Sequence, residues 1–355
     1  MKRYLLVFLV ILVAVLISAD ESSNKMGVLE GIFLPQSLVV IGDRVIVAQK
    51  SSFHVFRLPD LQPVKEFCRE GEGPGELQSV PMIPNTIELV DGILVAEGVS
   101  KILGYSVEDF SMIREQRKGG MVWNFLPAEN GYIYTRFVPK GGDKIDIQLV
   151  LAGRDLREIK VLHHQSTVDR DQEVIMLRDP IGYGLSNGEI YVEKSNEGFV
   201  IDVYDLQGTV LRRIAHSEIT TLPVSGEFKK QAMETLRSDP LVAQVITRNG
   251  GWENFKKITT FTFPENFPVI RNFKVKSGRI YVLIPNRNPD QAELIVMDRD
   301  GRIEKRRTVP FTPSPFFTAN ALGKNIFLWD VQGNQYYYVA GDDESGGWDL
   351  CRIVF

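Results

Sequence analysis

Gly184 to Gly188 reads GLSNG and matches the Gly-x-Ser-x-Gly pattern that presents a hydrolase's serine nucleophile. That chemistry needs Ser186 on a strand-to-helix elbow. The run that follows, EIYVEK, is β-rich, so the local pattern predicts a strand-to-strand hairpin with Ser186 beside its turn and no nucleophile. His54, His163, His164 and His216 lack the i, i+4 spacing of a helical metal site. His163 and His164 are neighbours in a strand-like run and point to opposite faces, so the four read as surface or edge histidines. Asp342, Asp343 and Glu344 in GDDESGG offer carboxylates suited to calcium, but without the alternating spacing of a calcium loop they read as a solvated turn. The two cysteines, Cys68 and Cys351, permit one disulfide; the alternative is two buried or half-buried thiols.

The elements that would position these groups repeat along the chain. An apolar run, a two-residue turn with Gly, Asp or Asn, and a β-branched or aromatic run recur six times: SLVVI-GD-RVIVAQ, TIELV-DG-ILVAE, NFLPAE-NG-YIYTR, IGYGLS-NG-EIYVEK, FKVK-SG-RIYVL and ANALG-KN-IFLWD. Such turns take positive φ and close tight hairpins. A second hairpin follows each, giving six four-strand units over 37–68, 84–118, 121–166, 180–217, 269–310 and 316–355. The fold class expected is all-β, a six-bladed β-propeller, in which radial closure protects the sheet edges.

Between the first two units, Arg69 to Pro81 reads REGEGPGELQSVP, with Gly71, Gly73 and Gly75 around Glu72 and Pro74. This stretch, with the following DGILVAE, resembles the NHL-type repeat of β-propellers, and the resemblance extends as architecture over the mature chain. The glycine-proline motif itself occurs once. Such propellers include lactonases that hold a metal at the channel mouth with carboxylates and amides.

In a four-stranded blade the innermost strand starts, and the second strand ends, on one face. That rule gathers Gln49, Glu97, Arg136, Lys194 and Asp330 from second-strand ends, and Asn85, Asn124, Arg271 and Asn320 from innermost-strand starts. This ring around the channel mouth is the expected ligand site. Arg136, Lys194 and Arg271 stand where a metal cluster would need anions, so no metal, cofactor or catalytic group is expected. The reading is a ligand- or protein-binding module; its alternative is a channel-mouth hydrolase or lyase acting on a sugar or lactone.

Pro223 to Lys257 breaks the β pattern. Phe228, Ala232 and Leu236 fall on one helical face, with Ser225 as N-cap. The segment is expected as a helical insertion between the fourth and fifth blades, a partial lid whose Phe228, Leu236 and Trp252 pack on the propeller or a partner. Residues 1–19, MKRYLLVFLVILVAVLISA, read as a signal peptide cleaved near Ala19, followed by one propeller domain over 20–355. An exported protein, periplasmic or extracellular, without a stable membrane span is expected. The chain carries 41 basic and 45 acidic residues. Loss of Lys2 and Arg3 leaves 39 against 45, a net charge of −6 that argues against a nucleic-acid partner. The expected partner is a protein or carbohydrate-like ligand on the loop-rich face.

Overall fold

Each sequence repeat folds as one antiparallel sheet of four strands. The structure, a computed structural model, describes residues 25–79, 85–119, 122–141, 144–168, 173–177, 181–238, 240–288, 290–311, 328–341 and 346–355. The chain begins with β1 (Lys25–Val28). Blade one is β2 (Ser37–Ile41), β3 (Arg44–Gln49), β4 (Ser52–Arg57) and β5 (Gln62–Phe67). Blade two is β6 (Thr86–Val90), β7 (Ile93–Glu97), β8 (Lys101–Ser106) and β9 (Met112–Arg117). Blade three is β10 (Val122–Ala128), β11 (Gly131–Gly141), β12 (Lys144–Gly153) and β13 (Glu158–Val168). A short strand, β14 (Glu173–Ile175), precedes blade four, which is β15 (Tyr183–Ser186), β16 (Glu189–Glu193), β17 (Val200–Tyr204) and β18 (Val210–Ala215).

The insertion supplies α1 (Gly226–Ser238), α2 (Pro240–Arg248), α3 (Trp252–Ile258) and β19 (Thr260–Thr262). Blade five is β20 (Asn272–Lys276), β21 (Arg279–Pro285), β22 (Gln291–Met297) and β23 (Ile303–Pro310). Blade six is β24 (Trp329–Gln332), β25 (Gln335–Gly341) and β26 (Trp348–Val354), completed by β1, which pairs antiparallel with β26.

Blade six thus differs from its expected layout. IFLWD was to be its second strand; instead Trp329 opens the innermost strand, and the hairpin turns at Gly333 and Asn334. The fourth strand comes from the other end of the chain, so the two ends of the polypeptide close the ring. Lys25–Val28 has four residues and no buried one among them, which leaves no periodicity to read.

The tight turns are as the pattern requires. Asn187 and Gly188 take φ of 53° and 72°, and Ser186 pairs with Glu189 across them, so GLSNG is a hairpin. The blades bury both faces, because each is sandwiched between two others. In β21, Ile280 and Val282 pack toward Phe273, Ile201 and Val203 of blade four's side of the core. Tyr281 and Leu283, on the other face, meet Trp329 and Tyr336 of blade six. That two-sided burial explains why RIYVLI is continuously apolar rather than alternating. Comparable clusters join blades one and two through Phe53 and Tyr105, blades two to four through Val95, Ile133 and Ile190, and blades six and one through Tyr337 and Phe56. The ring therefore closes through its side chains.

The insertion has its own small core. The Ser225 hydroxyl accepts the Phe228 N–H at 3.1 Å and caps α1. Leu236, Val242 and Ile246 are buried against Met233, Trp252, Phe255 and Phe261. β19 pairs in parallel with β14, which ties the insertion to the connection between blades three and four. Among the described residues no helix is long and apolar enough to cross a membrane.

Candidate functional site

The expected ring does not converge on one point. Gln49 accepts the Phe33 and Leu34 N–H groups and donates to Gly31 O at 3.0 Å, which pins the chain leading into blade one. Asn85, 1% exposed, donates to Lys50 O, the Ser51 hydroxyl and Gln78 O. Arg136 reaches sideways to Gln148 and Glu158 within blade three. Lys194 pairs with Asp202 at 2.6 Å and Glu197 at 3.8 Å within blade four. Asn320 lies outside the described residues, as do Asp342, Asp343, Glu344 and residues 1–19.

Glu97 and Asn124 do meet, but as an inter-blade staple. The Glu97 carboxylate accepts the Asn124 and Phe125 N–H groups, both at 3.0 Å, and pairs with Lys118 at 2.8 Å. Asn124 holds a φ of 58°, and the Tyr183 hydroxyl donates to its carbonyl. Side chains from one blade satisfy edge groups of the next elsewhere too. The Ser37 hydroxyl accepts the Ile87 N–H, and Trp329 Nε1 donates to the Asn272 side chain, each at 3.0 Å. An innermost strand has no sheet partner on its channel side, so its buried N–H groups need such acceptors.

Asp330 requires correction. It lies on the innermost strand β24 inside the channel and not at a second-strand end, a consequence of the shifted blade six. It is 0% exposed, accepts the Val40 N–H at 2.7 Å, and pairs with Lys276 at 2.5 Å and Lys274 at 3.4 Å. Burial pushes its pKa up, but Lys274, Lys276 and the Val40 N–H outweigh that and hold the carboxyl below its ordinary range. Asp330 joins blades five, six and one. A pocket beside it, lined by Glu88, Tyr183, Phe273 and the two lysines, has a volume of about 50 Å³. A second pocket of about 20 Å³ lies beside Glu97 and Asn124.

The larger space is off-axis. A cavity of about 320 Å³ lies between the rim of blades three and four and the base of the insertion. Ile147, Gln165 and Ser166 come from blade three, Ile175 from β14, and Ser195 from the turn after β16. Thr221 and the returning segment Pro264, Asn266, Phe267, Pro268 and Val269 complete it. Its lining is apolar with neutral hydrogen-bonding groups, the composition of small-ligand pockets. The Ser195 hydroxyl oxygen is buried and has no hydrogen-bond partner among the described residues. The cavity was not legible in the sequence, because its wall combines three connections with no shared motif.

Two features frame this face. The REGEGPGELQ loop folds over blade two, where Lys101 donates to Gly73 O and Gly75 N–H donates to Glu115. Phe228 of α1 packs edge-on against Phe267, ring centroids 4.8 Å apart, and Phe267 adjoins Arg271. The insertion therefore stands on the face where Arg271 and Lys194 lie. Leu236 and Trp252 pack inside the insertion itself instead of on a blade. Cys68 is a half-buried thiol and Cys351 a buried one, both free, with burial raising each pKa. His163 is half-buried and burial lowers its pKa.

No family model matches the sequence, and no curated protein aligns with it. Among solved structures the chain is similar to a candidate exported protein of Bacteroides fragilis. The identity is 10%, with 94% of each chain covered and a TM-score of 0.45. It is similar to BamB from Moraxella catarrhalis at 10% identity, covering 90% of this chain and 71% of that one, with a TM-score of 0.32. The CNH domain of AfRom2 gives 12% identity, coverage of 93% and 99%, and a TM-score of 0.35. Likeness at this level carries no functional argument; the six-bladed ring rests on the sheet order and inter-blade cores above.

Proposed function

We propose that the chain is an exported binding module, and that its ligand or partner segment enters the cavity beneath the helical insertion. The carrying observation is the placement of space: about 320 Å³ beside the base of the insertion against pockets of about 50 and 20 Å³ near the axis. The exposed Ser166, Thr221 and Asn266 give that space neutral polar side chains for a ligand to meet. The insertion acts as a cap, held by the β14–β19 pair and by Phe228 on Phe267. The leader-like residues 1–19 support export.

Thr221→Trp, which fills the cavity from its wall, tests the reading. A small-fragment panel screened by ligand-observed NMR is expected to give mutually competing binders of the parent that Thr221→Trp no longer holds. Binders indifferent to the substitution, or none at all, would reject the cap cavity as the site.

A further inference from the structure

Arg271 differs from five other cations in the blades. Lys101, Lys118, Arg136, Lys194 and Arg213 each meet a carboxylate. Arg271 meets none among the described residues. Its backbone N–H donates to Leu283 O at 2.8 Å, and among the described residues its guanidinium lies against two aromatic rings. The guanidinium carbon lies 4.3 Å from the Phe311 ring centroid and 5.9 Å from that of Phe267. Both rings are buried, at 2% and 8% exposure, and Arg271 as a whole residue is partly buried.

Ring faces attract a cation, but they offer no acceptor to the five in-plane N–H donors of a guanidinium. Burial pushes the Arg271 pKa down, to about 10 from an ordinary 12.5. Burial therefore opposes the charged form, and the described residues offer it no carboxylate in return. A cation with no counter-charge among the described residues, on a partly exposed residue beside two aromatic rings, is placed to receive an anion.

We propose that Arg271 recognises an oxyanion, a carboxylate or a phosphate ester, on the ligand of the cap face. The proposal rests on the cap-face reading for its placement: Phe267 lines the cavity and also adjoins Arg271, so one ligand can reach both. The planar guanidinium presents paired donors to two oxygens at once, a geometry a lysine ammonium does not share.

Two probe pairs test it: hippurate against hippuramide, and phenyl phosphate against phenol. Each is titrated by NMR against the parent, Arg271→Met, Arg271→Lys, and a variant with residues 224–256 replaced by a short Gly/Ser linker. One charged probe is expected to bind the parent at least ~10-fold tighter than its neutral partner, the step that one charged bidentate contact of ~1.4 kcal/mol gives. The pair that shows the preference separates carboxylate from phosphate. Arg271→Met should abolish the preference and Arg271→Lys should keep part of it. No preference with either pair, or one that survives Arg271→Met, overturns the proposal. Without probes, Arg271→Met should melt no lower than the parent; a fall of more than about 4 °C would make Arg271 a packing residue and overturn it as well. A preference lost in Arg271→Met but intact in the linker variant upholds Arg271 and rejects the cap cavity. Binding without charge preference that disappears in the linker variant upholds the cavity and rejects Arg271.

Discussion

The channel and the cap face use charge in opposite ways. In the channel, Asp330 is enclosed by Lys274, Lys276 and the Val40 N–H, and little space is left. On the cap face, the cavity is several times larger, its lining is neutral, and Arg271 beside it has aromatic neighbours but no carboxylate among the described residues. Polar side chains at a propeller axis need not mark a ligand site. Here they do the structural work of joining blades whose innermost strands lack a partner on one side. The larger described cavity lies where the connections are long.

The sharpest test of that contrast is Asp330→Ala. It strips two lysines of their counter-charge inside the ring and should destabilise the fold by about 3–5 kcal/mol, read by urea unfolding. A change below 1 kcal/mol would mean that the channel charges are dispensable and open to ligands. Next in size, Leu236→Ala empties the core of the insertion, where the residue is 2% exposed. A local loss of about 2–3 kcal/mol is expected. Hydrogen exchange should show it over 226–258, with the blades protected as before; a matching loss across the blades would make the cap part of the ring's cooperative unit.

A smaller effect is expected from Gly75→Val in the loop over blade two. Gly75 holds a φ of 71°, and an added Cβ would stand 3.3 Å from the Met112 sulfur. The left-handed conformation alone should cost about 1–2 kcal/mol in a thermal melt. At Gly71 a Cβ would fall 2.0 Å from a Glu76 carboxylate oxygen, so valine there should displace the Glu76 contact with Gly73. Neutral melts for both would show that the loop does not hold this conformation.

The smallest effect concerns the face opposite the cap. Glu189 accepts both Arg212 and Arg299, and these hydrogen bonds, Arg212 first, hold its pKa well below the ordinary 4.5. A depressed carboxyl pKa adds stability above the unfolded value and loses it as pH falls through the folded one. Glu189→Gln should therefore melt lower than the parent near pH 7, by about 1 kcal/mol given the solvent exposure of Arg299, and the gap should close below about pH 4. Binding at the cap should be unchanged in this variant; altered probe affinity would link the two faces.

The strands of the first five blades were legible because their signals are local. Period-two or continuous apolar runs and Gly, Asp or Asn turns fix a hairpin from within about ten residues, as Asn187–Gly188 and Ser277–Gly278 show by their positive φ. The helical insertion was legible for the same reason, from the spacing of Phe228, Ala232 and Leu236 and the Ser225 cap. Blade six was misread because one of its strands comes from residue 25, and a four-residue strand carries no pattern of its own. All nine ring residues are expected as ligand groups from the sequence, yet Glu97, Asn85 and Gln49 bond to protein atoms 7 to 35 residues away.

By itself, the sequence determined the repeat and the turn chemistry, since both follow from neighbouring residues and backbone sterics. Only the tertiary structure decided which charges are spent on holding the ring and which remains uncompensated. Asp330 and Val40 are 290 residues apart in the chain, and Phe267, Arg271 and Phe311 meet only because the return from the insertion and the exit from blade five reach the same rim. Counter-charges and cavity walls depend on such distant meetings, which local patterning does not encode.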